Sequence, residues 1–302
     1  MKDSTKGLLY ASFTALLWGF LVIALKVSVN ELKPVTVVWF RFSIAFFLLL
    51  ISLLIFDKGL VKSVGKLPRM VFIAGILLGL NYLGFIAGLD KTTPGTAQIF
   101  IQIGPVSLAI AGIVFFGERF TWKHFAGLFI LLLGFILFYS QQISGSNGNG
   151  ASIRTGILYI VLGGLSWAGF SIMQKIMVKN HNPNHLNLVI YGLCAIGFLP
   201  FAELSKIPGL SFYDWLLLFS LGLNTFLAYG SLALALKYAE ANKISMILTL
   251  NPIITFVVMA LLEIAAVSWI EYENFTILSV LGAVIALTGV SIVVLKIKKT
   301  DS

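Results

Sequence analysis

Ten apolar stretches of bilayer-spanning length, joined by short polar connections, constrain this chain more than any other feature. They cover roughly 7–29, 34–56, 69–89, 95–116, 124–141, 155–178, 185–204, 213–236, 244–270 and 276–295. About twenty apolar residues cross a hydrocarbon core at ~1.5 Å per residue, so each stretch suits a helix. Barrel strands would alternate polar and apolar residues, and these runs do not. The chain is 59% hydrophobic with 11% charged residues, and its mean hydropathy is +0.99. That balance excludes an ordinary water-soluble domain. The first stretch follows a basic head, but it is too long for a signal peptide and lacks a small-residue cleavage site, so a retained helix is expected.

The second constraint is internal repetition. Trp18 and Lys26 sit eight residues apart, and Trp167 and Lys175 repeat the spacing 149 positions later. At the same offset Gly7 falls on Gly156, Leu9 on Leu158 and Tyr10 on Tyr159. From Gly75/Gly222 through Pro105/Pro252 the offset is 147, and over the closing segments it is 155. There Gly127 and Gly134 meet Gly282 and Gly289, and Glu118 meets Glu273; a competing register pairs Glu118 with Glu263. A period near half the chain means two related halves. Because each half has an odd number of spans, the second enters the membrane inverted, as in many membrane transporters. The expected organisation is residues 1–143, a flexible polar linker at 144–152, and residues 153–302, with two five-helix bundles packed against each other.

Charge placement orients the chain. With the N-terminus inside, 14 Lys and Arg fall in segments on that face and 4 on the opposite one, with Lys26, Arg41 and Lys175 within spans to make 21. This is the positive-inside pattern, with both termini cytoplasmic and the protein in the cell (cytoplasmic or inner) membrane. The net charge of +9 is thereby explained without nucleic acid. Cys194 is the only cysteine, so no intrachain disulfide forms.

Trp18-Gly19 followed by Lys26, Arg41 early in the second span, the Pro105 and Pro252 helices, Glu118, and the closing glycine pairs occur in an order that resembles the EamA family of the drug/metabolite transporter superfamily. The resemblance covers essentially the whole chain, as two repeats. It implies a ten-helix carrier, commonly an exporter of amino acids or other small metabolites, and does not name the substrate.

Polar groups inside spans are costly and mark functional candidates. Gln98, Gln102 and Pro105 share one helix face, and Ser245, Thr249 and Pro252 stand at the matching positions of the ninth span, with Asn251 where the fourth has Gly104. Each proline removes a backbone hydrogen bond and kinks its helix, so the two polar faces are expected to flank a central cavity. The plainer reading is interhelical bonding that only joins the bundle. Arg41 lies about 10 Å below the outer end of its helix, and Lys26 about 6 Å. Both either snorkel to headgroups or form a cationic vestibule for a carboxylate. Arg41 has no counterpart, since Ile190 takes its place, and is the stronger candidate. Trp18, Trp167, Tyr82 and Tyr229 sit near mid-span in symmetric pairs; Trp18, Trp167 and Tyr82 are candidate cavity walls, with Asn81 beside Tyr82 where the second half has Ala228. Simple packing is the alternative.

Gly75/Gly79 and Gly84/Gly88 have spacings that permit close helix contact, and the closing pairs present small faces for packing within the fold or across a homodimer. Glu263 is a candidate carrier of a coupling proton if buried; an interfacial position is the alternative. His124, His181 and His185 lie at or outside helix ends, no Asp is read as buried, and no Walker or HExxH motif occurs. An enzyme is therefore not expected, nor a metal or cofactor. A channel would need a filter-like motif or charged ring. The expectation is a secondary carrier exporting a small polar metabolite such as an amino acid by alternating access. The alternatives are a drug-like cation, a sugar or a phosphorylated metabolite.

Overall fold

The computed structural model describes residues 3–29, 32–57, 64–117, 122–144, 150–270 and 276–294. Among them are helices and no strands. The first repeat contains α1 (Asp3–Ser28), α2 (Pro34–Phe56), α3 (Met70–Asp90), α4a (Pro94–Phe100), α4b (Ile103–Phe116) and α5 (Trp122–Ser144). The second contains α6 (Gly150–Met177), α7 (Pro183–Phe198), α8 (Phe212–Tyr238), α9a (Ala241–Leu248), α9b (Asn251–Ile264) and α10 (Ile277–Val294). With the broken fourth and ninth helices counted once each, these are ten spans in two inverted sets of five. Phe47, Leu54, Ile76 and Phe129 are each more than half exposed, an outer surface suited to lipid.

Local chemistry sets the helix starts. Pro34, Pro94 and Pro183 open their helices where the missing N–H has no helical partner anyway. Thr93 accepts from Thr96 N at 3.3 Å and Asn182 from Asn184 N at 3.0 Å. At α8, Ser211 and Asp214 form a reciprocal capping box.

The repeats are not two bundles side by side, which corrects the sequence expectation. The most extensive packing runs between them: α3 on α6, α1 on α8, α5 on α10, and α2 on both α7 and α8. The pattern obeys the pseudo-two-fold, because α1–α8 contacts map onto α6–α3 contacts. Small residues make this interleaving close. A Cβ at Gly84 would lie 2.8 Å from Tyr159 O, and one at Gly88 would lie 2.5 Å from Gly156 O. The closing glycines do the same for α5 and α10, where Gly134 abuts the Ala286 backbone and Gly282 that of Phe138. These faces are therefore occupied within the chain.

Of the expected 144–152 linker, 145–149 lie outside the described residues, Ser144 ends α5 and Gly150 begins α6. Glu118, Arg119 and Glu273 also lie outside the described residues. α9b ends at Ile264, and Ala266 adopts a positive φ of 50°, so the helix stops before residue 270, the end of the ninth apolar stretch. Glu263 is exposed near this end, which overturns its reading as a buried carboxylate.

Candidate functional site

Both proline helices break where a backbone carbonyl has lost its usual donor. In the fourth span Gln102 N turns to Ile99 O (3.3 Å) instead of Gln98 O, and the Gln102 side-chain Nε2 takes Gln98 O at 3.2 Å. In the ninth, Pro252 has no N–H for Leu248 O. With its amide nitrogen turned toward the backbone, Asn251 donates to Leu248 O (3.2 Å) and Ala15 O (2.9 Å). Each polar side chain thus mends the break that its neighbouring sequence creates.

Between the breaks lies a cavity of about 80 Å³. It brings together Trp18, Arg41, Asn81, Tyr82, Gln98, Gln102, Pro105 and Trp167 of the sequence candidates. Tyr229 and Asn251 complete its polar lining. Trp18 and Trp167, 149 residues apart, meet edge to face with ring centroids 5.9 Å apart. Tyr82 and Tyr229 stand 5.6 Å apart, and Tyr229 also packs on Trp18 at 5.3 Å. Both pairs therefore meet on the pseudo-symmetry axis.

Arg41 does not snorkel. Only 3% of it is exposed; its Nε donates to Thr225 Oγ1 at 3.1 Å, and its guanidinium lies 4.3 Å from the centre of the Tyr82 ring. Such a contact contributes about 0.5–2 kcal/mol. Among the described residues no carboxylate pairs with it. Asn81 donates to Gly163 O (3.0 Å) and accepts from the Tyr229 hydroxyl (3.4 Å). Gln98 donates to Trp18 O at 3.3 Å. The indole nitrogens of Trp18 and Trp167 and the Gln102 side-chain oxygen are buried without a hydrogen-bond partner, a costly arrangement unless a ligand uses them.

Lys26, Ser245, Thr249 and Pro252 do not line the cavity. Lys26 Nζ donates to Leu89 O (3.1 Å) in the last turn of α3 and to Thr92 O (2.7 Å) just beyond its end. Lys175 repeats this at α8, donating to Leu236 O (3.3 Å) and Ala239 O (2.8 Å). Both cap helix C-termini, where a cation also opposes the helix dipole. Ser245 and Thr249 are buried in α9a and its C-cap, and the Ser245 hydroxyl has no partner. Sequence reasoning missed Thr225, which anchors Arg41. The available signal was its position one turn before Tyr229 on the same helix face.

Ten spans in inverted repeats, with two broken helices and a cavity between them, are the architecture of a multi-pass membrane transporter. The chain belongs to the EamA-like transporter family, whose model matches residues 5–140 and 154–295. It is similar to an uncharacterized transporter of Haemophilus influenzae, at 32% identity over 94% of this chain and 92% of that protein. It is also similar to the uncharacterized inner membrane transporter YhbE of Escherichia coli K12, at 28% identity over 94% and 89%. A solved crystal structure shares the fold with a TM-score of 0.66 at 18% identity, covering 96% of this chain and 97% of its own.

Proposed function

We propose that the protein is a secondary carrier that exports a small polar metabolite, an amino acid or a close relative, by alternating access at the mid-depth cavity. The observation that carries this reading is a buried guanidinium, free of any protein carboxylate among the described residues, facing a cavity between two broken helices related by the pseudo-two-fold. A planar guanidinium matches a carboxylate in both charge and geometry. The paired Trp and Tyr rings supply apolar walls, and Gln102 supplies an acceptor. The broken helices supply the places where the repeats can rearrange. Both termini face the cytoplasm by the distribution of Lys and Arg.

The test is uptake and efflux of a panel of radiolabelled metabolites in proteoliposomes, with wild type and Arg41→Ala. At least one carboxylate-bearing solute is expected to equilibrate faster than in protein-free vesicles and to lose that advantage in the variant. If no solute crosses under any gradient, the carrier reading fails. If transport is unchanged by the substitution, Arg41 is a packing residue only.

A further inference from the structure

The charge balance of the cavity goes beyond its shape. Among the described residues that line the cavity, Arg41 is the only ionised side chain. The acids of the described helices stand elsewhere, at helix ends. Asp57 pairs with His185 at 2.6 Å, Glu203 with Lys33 at 2.6 Å and Glu240 with Lys243 at 3.6 Å. Asp214 caps α8, while Asp90 and Glu263 are exposed. A buried charge without a counter-charge is costly, and a solute that supplies one lowers that cost. The uncharged polar lining holds unpartnered groups of both kinds, the Gln102 side-chain oxygen and the two indole N–H donors, and the donors are the ones that a carboxylate can use. No lining side chain exchanges a proton between pH 5 and 8, because arginine stays charged and Trp, Tyr, Asn and Gln stay neutral.

We propose that the transported solute is a small organic mono-anion bearing a carboxylate, moved without a coupling proton and therefore driven by membrane voltage. This rests on the carrier reading above and narrows it. The carboxylate meets the free end of the Arg41 guanidinium, whose Nε is already committed to Thr225, while the indole N–H groups serve its remaining lone pairs. An ammonium group on the same solute would find no carboxylate in the lining. Each cycle then moves one negative charge, and 100 mV shifts the equilibrium distribution of such a solute about 50-fold. With the cell interior negative, net movement is outward, which supplies export with its driving force.

The test uses proteoliposomes at equal internal and external pH, with potentials of either sign set by potassium and valinomycin. The probes are alanine, leucine and phenylalanine, each as the N-acetyl acid, the free amino acid and the amide, so that one body is offered as anion, zwitterion and cation. N-acetyl acids are expected to move fastest and to approach a 50-fold ratio per 100 mV, accumulating in vesicles with a positive interior. Arg41→Gln should slow them about 100-fold, and Arg41→Lys, which keeps the charge but not the fork, should restore part of the flux. Unchanged size-exclusion profiles and melting establish that the variants are folded. Faster transport of zwitterions or amides, a distribution indifferent to voltage, or one that follows an imposed pH gradient overturns the proposal and leaves the carrier standing. If none of the nine probes outpaces protein-free vesicles, both readings fall.

Discussion

The helix-end lysines and the centre of the cavity treat the same pseudo-symmetry in opposite ways. Lys26 and Lys175 occupy equivalent positions and make equivalent bonds to carbonyls at the ends of α3 and α8. At the centre the paired Trp and Tyr rings keep the symmetry, while other lining positions break it. Arg41 faces Ile190, Asn81 faces Ala228, Gln98 faces Ser245 and Gly104 faces Asn251. The tyrosines show the consequence. Tyr229 packs against Trp18, whereas its mate Tyr82 lies under Arg41 and against Phe42, 4.3 Å between centroids. Symmetry is retained where both halves have the same structural task, the closing of a helix end. It is lost where a single solute, which lacks two-fold symmetry, has to be recognised.

The comparison breaks most sharply at the lysines. Lys26→Met and Lys175→Met should each destabilise the protein by about 1–3 kcal/mol, since carbonyls that are part-buried at Lys26 and buried at Lys175 lose their donor. The two losses should agree within about 1 kcal/mol, measured by denaturation in detergent. Transport per folded molecule should not change. A folded Lys26→Met that has lost transport would move Lys26 into the solute path.

A smaller effect is expected at the broken ninth helix. Asn251→Ala removes the donor to Ala15 O and Leu248 O and should cost about 1–2 kcal/mol. Its mate Gly104 has no side chain to lose. A Cβ there would sit 3.1 Å from Gly164 O and 3.1 Å from the Trp167 ring, so Gly104→Ala should alter solute affinity more than stability. Equal stability losses at the two positions would contradict this division.

The smallest effect belongs to the surface tie between the N-terminus of α2 and the segment after α7. The Lys33 hydrogen bond holds the Glu203 carboxyl below its usual range, with Lys206 adding to the attraction. A lowered carboxyl pKa stabilises the fold above the ordinary carboxylate range, and that contribution is lost as pH falls through the lowered value. Lys33→Ala should therefore melt close to wild type at neutral pH, and the remaining difference should shrink as pH falls below the ordinary carboxylate range. A difference that grows on acidification would assign Lys33 another partner.

Much of this was legible in the sequence because it depends on one helix at a time. Apolar runs of spanning length identify the helices, and the shared face of Gln98, Gln102 and Pro105 identifies a polar wall. The half-chain offset identifies the inverted repeats. The same reasoning left Lys26 between snorkelling and a cationic vestibule, because depth along a helix can be counted while a neighbour's carbonyls cannot. It also placed Ser245 and Thr249 with Gln98 and Gln102, since the halves align there, although only the fourth span turns those positions into the cavity.

The chain's own order of residues determined that it crosses the membrane ten times, that its halves are inverted copies, and that Arg41 has no partner in the second copy. Only the tertiary structure decided that the repeats interleave, that Thr225 and Tyr82 hold Arg41 inside, and that Asn251 bridges the gap left by Pro252. The reason is physical. Inside a bilayer, lipid-facing and core-facing surfaces are equally apolar, so hydrophobic pattern does not choose between helix neighbours. That choice is made by close packing of small residues and by hydrogen bonds between segments up to about two hundred positions apart, as between Arg41 and Thr225.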